Sequence, residues 1–310
     1  MVHCIAPPFL CPGDCIGLAA PARKVTEKEL GPCVELIEKQ GFKVKFASNI
    51  GKTDGQFSGS DAQRAEGINE LISDPNVKAV LCARGGYGSV RTFSHLNLDA
   101  WRQNPTWICG FSDVTALHLL SRSELKIQSI HSPVATTLPS ASEEAKNSFF
   151  NALSGNLKWD FKGSVHALSN AQCINGQLVG GNLSLIYSLM GSKYTHFNED
   201  NIMLFEDLDE MLYHLDRVLM GLKLAGVFKH TKAIVVGGLS DFRDNTKSFG
   251  FEMNNPYGKN PSEIVLEQLG ELGIPIVFNA PFGHLTNNES FYHAAQASLE
   301  WRGDQIKLSY

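Results

Sequence analysis

Long apolar runs are missing from this chain. No stretch approaches the roughly 18 residues that a membrane span needs, so no membrane partner is expected. The opening segment, MVHCIAPPFLCPGDC, has no basic region and no uninterrupted apolar core, and does not read as a secretory signal. A basic excess is also absent. Lys and Arg total 27 against 32 Asp and Glu, for a net charge of −5, which argues against a nucleic-acid partner. Paired cysteines at metal-ligating spacing are lacking. The seven cysteines (Cys4, Cys11, Cys15, Cys33, Cys82, Cys109, Cys173) are odd in number and scattered, as expected of free thiols in a reducing compartment. Cys11 and Cys15 lie near His3 but have no second pair, so no metal site is expected. Internal repeats and low-complexity tracts are missing too.

What remains is an ordinary globular composition, with 43% hydrophobic and 19% charged residues over 310 positions. A chain of that length exceeds what one core usually supports, so two domains are expected. In the first half, short apolar runs alternate with helical patterns. CIGLAAPA (15–22), FKVKFA, VKAVLCA (77–83), TWIC and IQSIHS read as strands. TEKELGPCVELIEKQG (26–41) and SDAQRAEGINELISD (60–74) read as helices opened by Thr26 and Ser60. That alternation predicts an α/β fold with a mainly parallel sheet. A Ser-, Asn- and Pro-richer stretch follows, and βα patterning resumes near GQLVGGNLSLIYSLMG (176–191). The expected division is an N-terminal domain over 1–135, a connection over 136–172 and a C-terminal α/β domain over 173–310.

Ligands of such sheets bind beyond the carboxyl ends of the strands. Two Gly-containing turns fall there, ARGGYGS and GFSD. Gly110-Phe111-Ser112 supplies the first half of a G-x-S-x-G nucleophile elbow, in which a strained strand-to-helix turn holds up a serine. The second glycine is missing, so Ser112 or Asp113 could instead cap the helix that follows. In ARGGYGS, adjacent glycines leave backbone amides able to bind an oxyanion, a carboxylate or a phosphate. The turn is neither a dinucleotide fingerprint nor a P-loop, and no cofactor is expected. Arg84 could bind a substrate carboxylate or form a structural salt bridge. A nucleophilic serine needs a base and an orienting acid. His284 in APFGHLTNN follows an apolar strand, and His131 could line the same rim. Glu206 and Asp207 in IMLFEDLDE lie at the end of another strand, ahead of a helix expected over 209–224.

Five blocks in order carry a resemblance across nearly the whole chain. They are GSDAQRAEGINELISDPNVKAVLCARGGYGSVR, GFSDVTALH, GGNLSLIYSLMGS, LFEDLDEMLYHLDRVLMGLKLAG and FGHLTNN. The chain resembles the LD-carboxypeptidases, the muramoyltetrapeptide carboxypeptidase family of serine peptidases. The resemblance implies a flavodoxin-like N-terminal domain and a smaller C-terminal α/β domain. It places the nucleophile on Ser112, the acid on Glu206 and the base on His284, completed across two domains. Its oxyanion hole would use the backbone amides of Gly86 and Asp113. The implied reaction removes the terminal D-alanine from a murein tetrapeptide in cytoplasmic peptidoglycan recycling, without metal or cofactor, in a homodimer. Two departures bear on pocket shape. Ser132 stands where the family motif has Gly in His-Gly-Pro, and a Pro-Gly pair is missing after the His284 block. The alternative branch, the microcin-immunity peptidases, acts on aminoacyl nucleotides and would present an aromatic platform; SFGFEMNNPYG (248–258) offers Phe249, Phe251 and Tyr257 but no Trp. A binding protein for a peptide or sugar, with an inert cleft, is the alternative from another class.

Overall fold

The computed structural model describes residues 4–166 and 172–310. Its elements in chain order begin with β1 (Cys15–Ala19), α1 (Glu27–Lys39), β2 (Lys43–Phe46), α2 (Asp61–Ile72), β3 (Val77–Cys82), α3 (Leu98–Gln103), β4 (Trp107–Gly110), α4 (Thr115–Leu120), β5 (Ser129–His131) and α5 (Glu143–Leu153). They continue with β6 (Trp159–Lys162), β7 (Ser164–His166), β8 (Cys173–Asn182), α6 (Leu183–Ser188), β9 (Asn201–Leu208), α7 (Leu212–Leu224), β10 (Thr231–Ser240), α8 (Pro261–Leu269) and β11 (Ile276–Phe278). The chain ends with β12 (Phe291–His293), β13 (Gln296–Arg302) and β14 (Gln305–Ser309).

These elements form two compact units. The first comprises residues up to Lys158 together with Thr286–Ala295. Its sheet has the order β12-β5-β4-β3-β1-β2. The five strands β1 to β5 run parallel. Read from the β2 edge, their order is 2-1-3-4-5, the flavodoxin-like winding. β12 adds an antiparallel edge on β5. Helices open where the sequence offers caps. The Thr26 hydroxyl accepts from Glu29 N–H, and the Glu29 carboxylate accepts from Thr26 N–H, a reciprocal box repeated by Ser60 and Gln63. Buried Ile16, Leu18, Leu81, Trp107 and Ile130 of the sheet pack in one core with Leu30 and Ile37 of α1 and Phe149 and Leu153 of α5. Each such side chain contributes about 1.5–3 kcal/mol when fully buried.

That packing changes the expected division. Residues 136–158 were expected to be part of a connection, but their polar composition hides the amphipathic α5, whose apolar face completes the first core. From Trp159 onward the chain belongs to the second unit, Trp159–Leu285 with Gln296–Tyr310. Residues 167–171 of the expected connection lie outside the described residues. The second sheet has the order β6-β14-β13-β8-β9-β10-β11-β7. Its centre, β8-β9-β10-β11, is parallel, and both flanks are antiparallel. The helix expected over 209–224 begins at Leu212, because Asp209 takes a left-handed φ of 58° and turns the chain first.

Candidate active site

Ser112 stands at the carboxyl end of β4 with φ 61°, a conformation that costs a non-glycine residue about 1–3 kcal/mol. The turn is tight. Gly110 has φ 149°, and a Cβ there would lie 2.9 Å from Val114 Cγ2. Neither Ser112 nor Asp113 caps the helix. α4 begins at Thr115 without a side-chain cap, and Asp113, fully buried, points its carboxylate elsewhere. Its Oδ2 accepts from the Ser89 N–H at 2.8 Å. Burial pushes the Asp113 carboxyl above the usual carboxylate range, opposed by hydrogen bonds from Ser89 and Gly88 and by the charge of Arg64.

This contact ties the serine turn to the glycine turn after β3. A Cβ on Gly85 would lie 3.1 Å from Ser112 Cβ and 3.2 Å from its Oγ, so the backbone approaches the serine closely. Gly86 follows at φ 111°, with Arg23 packed where its side chain would be. From the other side, buried Arg64 donates to the carbonyls of Pro21 (2.6 Å) and Gly88 (2.8 Å). The elbow itself is held from behind. Gly110 O accepts from Ser132 N–H at 3.1 Å and from His118 Nε2 at 2.8 Å. A carbonyl can only accept, so Nε2 of His118 carries the proton and Nδ1 accepts from the Ser129 hydroxyl at 2.8 Å. Burial lowers the His118 pKa to about 4, keeping the ring neutral.

Within the second unit, a carboxylate and a histidine are paired. Glu206 is fully buried, within β9 rather than past its end, and pairs in register with Asn182 of β8. His284 Nδ1 lies 2.6 Å from Glu206 Oε2. Nδ1–H donates to the carboxylate, leaving the Nε2 lone pair as the basic position. Burial disfavours a charged His284 ring. The hydrogen bond and charge of Glu206, aided by Asp207 and Asp241, outweigh this and raise its pKa overall. The FGH block has a steric reason. Gly283 has φ 99°, and a Cβ there would lie 2.5 Å from Glu206 Cβ. The Ser240 hydroxyl donates to His284 O at 3.0 Å, fixing the backbone that carries the imidazole.

Both halves of the chain match models of one family, described as the LD-carboxypeptidase N-terminal domain over residues 16–132 and the LD-carboxypeptidase C-terminal domain over 175–299. The chain belongs to the LD-carboxypeptidase family. The probable murein peptide carboxypeptidase of Bacillus subtilis is 30% identical over 74% of this chain and 73% of its own length. Among solved structures, the muramoyltetrapeptide carboxypeptidase of Oxalobacter formigenes superposes with a TM-score of 0.82 at 23% identity, covering 95% of this chain and 97% of that one. A microcin C7 self-immunity protein mutant, solved with adenosine monophosphate, gives 0.84 at 21% identity over 99% and 98%. These two structures share the fold of this LD-carboxypeptidase.

Other sequence candidates fall differently. His131 does not line the rim: it is fully buried in β5 and stacks on Phe291 at 4.6 Å. Arg84 pairs with Glu29 at 3.1 Å. No group of three His, Cys, Asp or Glu residues suited to a metal ion occurs among the described residues, and His3 lies outside them. No helix among them is long and apolar enough to cross a membrane. Sequence reasoning named two further carboxylates without showing what they hold. One is the Asp113 carboxylate gripping Ser89. The other is Asp207, buried beside Glu206, which accepts from Asn182 Nδ2 (3.0 Å), Ser184 N–H (3.1 Å) and the Ser184 hydroxyl (2.9 Å). Burial, then the charge of Glu206, raises the Asp207 pKa to about 6. The GGNLS block was its visible signal: Asn182 and Ser184 are the donors.

Proposed function

We propose that this LD-carboxypeptidase is a serine peptidase that removes the terminal D-alanine from murein tetrapeptides, with Ser112, Glu206 and His284 acting as a triad. One observation carries the reading. A fully buried carboxylate is bonded at 2.6 Å to Nδ1 of a half-buried histidine, whose other nitrogen is left basic. A polar loop histidine needs no such partner, whereas a general base does.

In this mechanism His284 Nε2 takes the proton of Ser112 Oγ as that oxygen attacks the carbonyl carbon of the penultimate residue. The carbonyl oxygen becomes an oxyanion held by the N–H groups of Gly86 and Asp113, each such donor contributing about 3 kcal/mol to the barrier reduction. The C–N bond breaks, and His284 returns the proton to the leaving amine. Water, deprotonated by His284, then hydrolyses the acyl-enzyme. Glu206 keeps the ring oriented and stabilises its cationic form. The cytoplasmic compartment, the role in peptidoglycan recycling and the homodimer implied by the resemblance belong to the same proposal.

A second reading, an aminoacyl-nucleotide peptidase, stands on Phe249 and Phe251, which are exposed on the loop after β10 and could face a nucleobase. Mass spectrometry of products from a murein tetrapeptide, beside an aminoacyl-adenylate mimic, separates the two. Release of D-alanine alone supports the first reading, and cleavage of the nucleotide conjugate alone replaces it with the second. The inert-cleft alternative predicts no labelling of Ser112 by a fluorophosphonate. Ser112→Ala should abolish turnover with an unchanged circular dichroism spectrum; retained turnover would remove Ser112 from the mechanism.

A further inference from the structure

Three loops at the carboxyl edge of the first sheet enclose a cleft of about 270 Å³ that the triad does not use. Lys24 comes from the loop after β1, Lys52 from the loop after β2 and Arg84 from the turn after β3, while Glu29 of α1 forms part of the wall. Three cationic residues and one acidic residue thus line it, in a chain whose net charge is −5. Glu29 is already committed, because its carboxylate accepts from Thr26 N–H at 2.8 Å and the Thr26 hydroxyl at 2.9 Å. Arg84 spends one donor on Glu29 at 3.1 Å and another on the Lys24 carbonyl at 3.4 Å. A guanidinium has five donors, so most of its fork remains available. The Arg84–Glu29 pair is solvent-exposed and correspondingly weak. Among the described residues, no ion pair involves Lys24 or Lys52.

The cleft lies on the same sheet edge as Ser112, since β1 to β4 run parallel. It centres on β1, two strands from β4 in the sheet order. With strands about 4.8 Å apart, that is roughly 10 Å from the nucleophile's strand. One residue of extended peptide spans about 3.5 Å. The carboxylate of the residue being released lies within about one residue of the scissile carbonyl, short of the cleft's centre. An anionic group two or three residues before the bond can reach it.

We propose that Lys24, Lys52 and Arg84 form an anion subsite for the retained part of the substrate. It takes a carboxylate carried two or three residues upstream of the scissile bond, or a phosphate at the same reach. The proposal rests on the serine peptidase reading.

Equilibrium titration of the unsubstituted protein with the tripeptide product, which cannot turn over, tests it. Amidating the upstream carboxylate should weaken binding by about tenfold, and the Lys52→Gln/Arg84→Gln variant should bind acid and amide forms alike. Competition by inorganic phosphate at low millimolar concentration would assign the cleft to phosphate, and its absence to carboxylate. If the variant still distinguishes acid from amide as the unsubstituted protein does, or if neither protein distinguishes them, the subsite is overturned. Fluorophosphonate labelling of Ser112 in both proteins reports the peptidase reading separately: unlabelled Ser112 removes that reading whatever the titration shows.

Discussion

Gly283 shows how closely Glu206 and the loop that carries His284 are packed. Its backbone lies where no side chain fits, against Glu206, at a φ that L-residues rarely adopt. Gly283→Ala should therefore push the loop away from Glu206 and lower kcat at least tenfold, while thermal unfolding moves by only a few degrees; an unchanged kcat would mean the Glu206–His284 geometry tolerates displacement. The raised pKa of His284 sets a second expectation. The base form must be neutral, so kcat/KM should rise with pH through a value above the ordinary 6.5 of histidine. Glu206→Gln removes the charge that raises it. That variant should shift the acid limb downward and cost several orders of magnitude in rate, as members of a triad do; a limb that stays in place would assign the titration to another group. On the other unit, Asp113→Ala would strand the buried Ser89 N–H, at a cost of about 1–3 kcal/mol, and should loosen the glycine turn. The strained turn at Ser112 and the Glu206–His284 pair were legible as candidates because each lies at or near the carboxyl end of an apolar strand. The Asp113 carboxylate was not, because Ser-Asp before a helix has the local pattern of a cap.

At the scale of elements, α1 and α2 were legible through their capping residues, and β3 through its almost continuous apolar run. β12 was not. Three residues carry no period, and Phe-Tyr-His gives no sign that it will pair with β5, some 160 positions earlier in the chain. The elbow between β4 and α4 depends on a helix residue, His118, whose neutral ring bonds Gly110. That neutrality has a pH signature. The pKa of His118 falls from 6.5 to about 4 on folding, so the unfolded chain binds the extra proton between those values. Its contribution is complete above pH 6.5, declines as pH falls toward 4, and removes about 3 kcal/mol once both states are protonated. His293, stacked on His118 at 5.5 Å, is also held well below its ordinary value, by burial first and then by its neighbours His118, Arg122 and His131, and steepens the loss. Urea titrations across pH 4–7 should show stability dropping with acid, and His118→Phe should flatten that slope by one proton; an identical slope would place the proton uptake elsewhere.

At the scale of the whole molecule, the two-unit organisation followed from length and from alternating patterns, but the path between units did not. The chain leaves the first unit at Lys158 and contributes Thr286–Ala295 to it again near the end. Composition has no memory of such a return, because these ten residues look like any polar loop followed by a short apolar run. A fragment ending at Lys158 would lack β12, leaving β5 as an open edge and uncovering the buried face that Phe291 and His293 occupy. Expressed alone, residues 1–158 should bind a hydrophobic dye and aggregate. Supplying residues 286–295 by a linker after Lys158 should restore a cooperative unfolding transition. A soluble, cooperatively folding 1–158 fragment would show that β12 is dispensable.

The return of β12 also sets a clock on biosynthesis. The sheet that holds Ser112 acquires its last strand only after the ribosome has passed residue 293. At about 5–20 residues per second, the strand arrives on the order of ten seconds after α5 has been made. During that interval the β5 edge of the first sheet has no partner strand. The first sheet is thereby completed only after the stretch Trp159–Leu285 of the second unit has been synthesised.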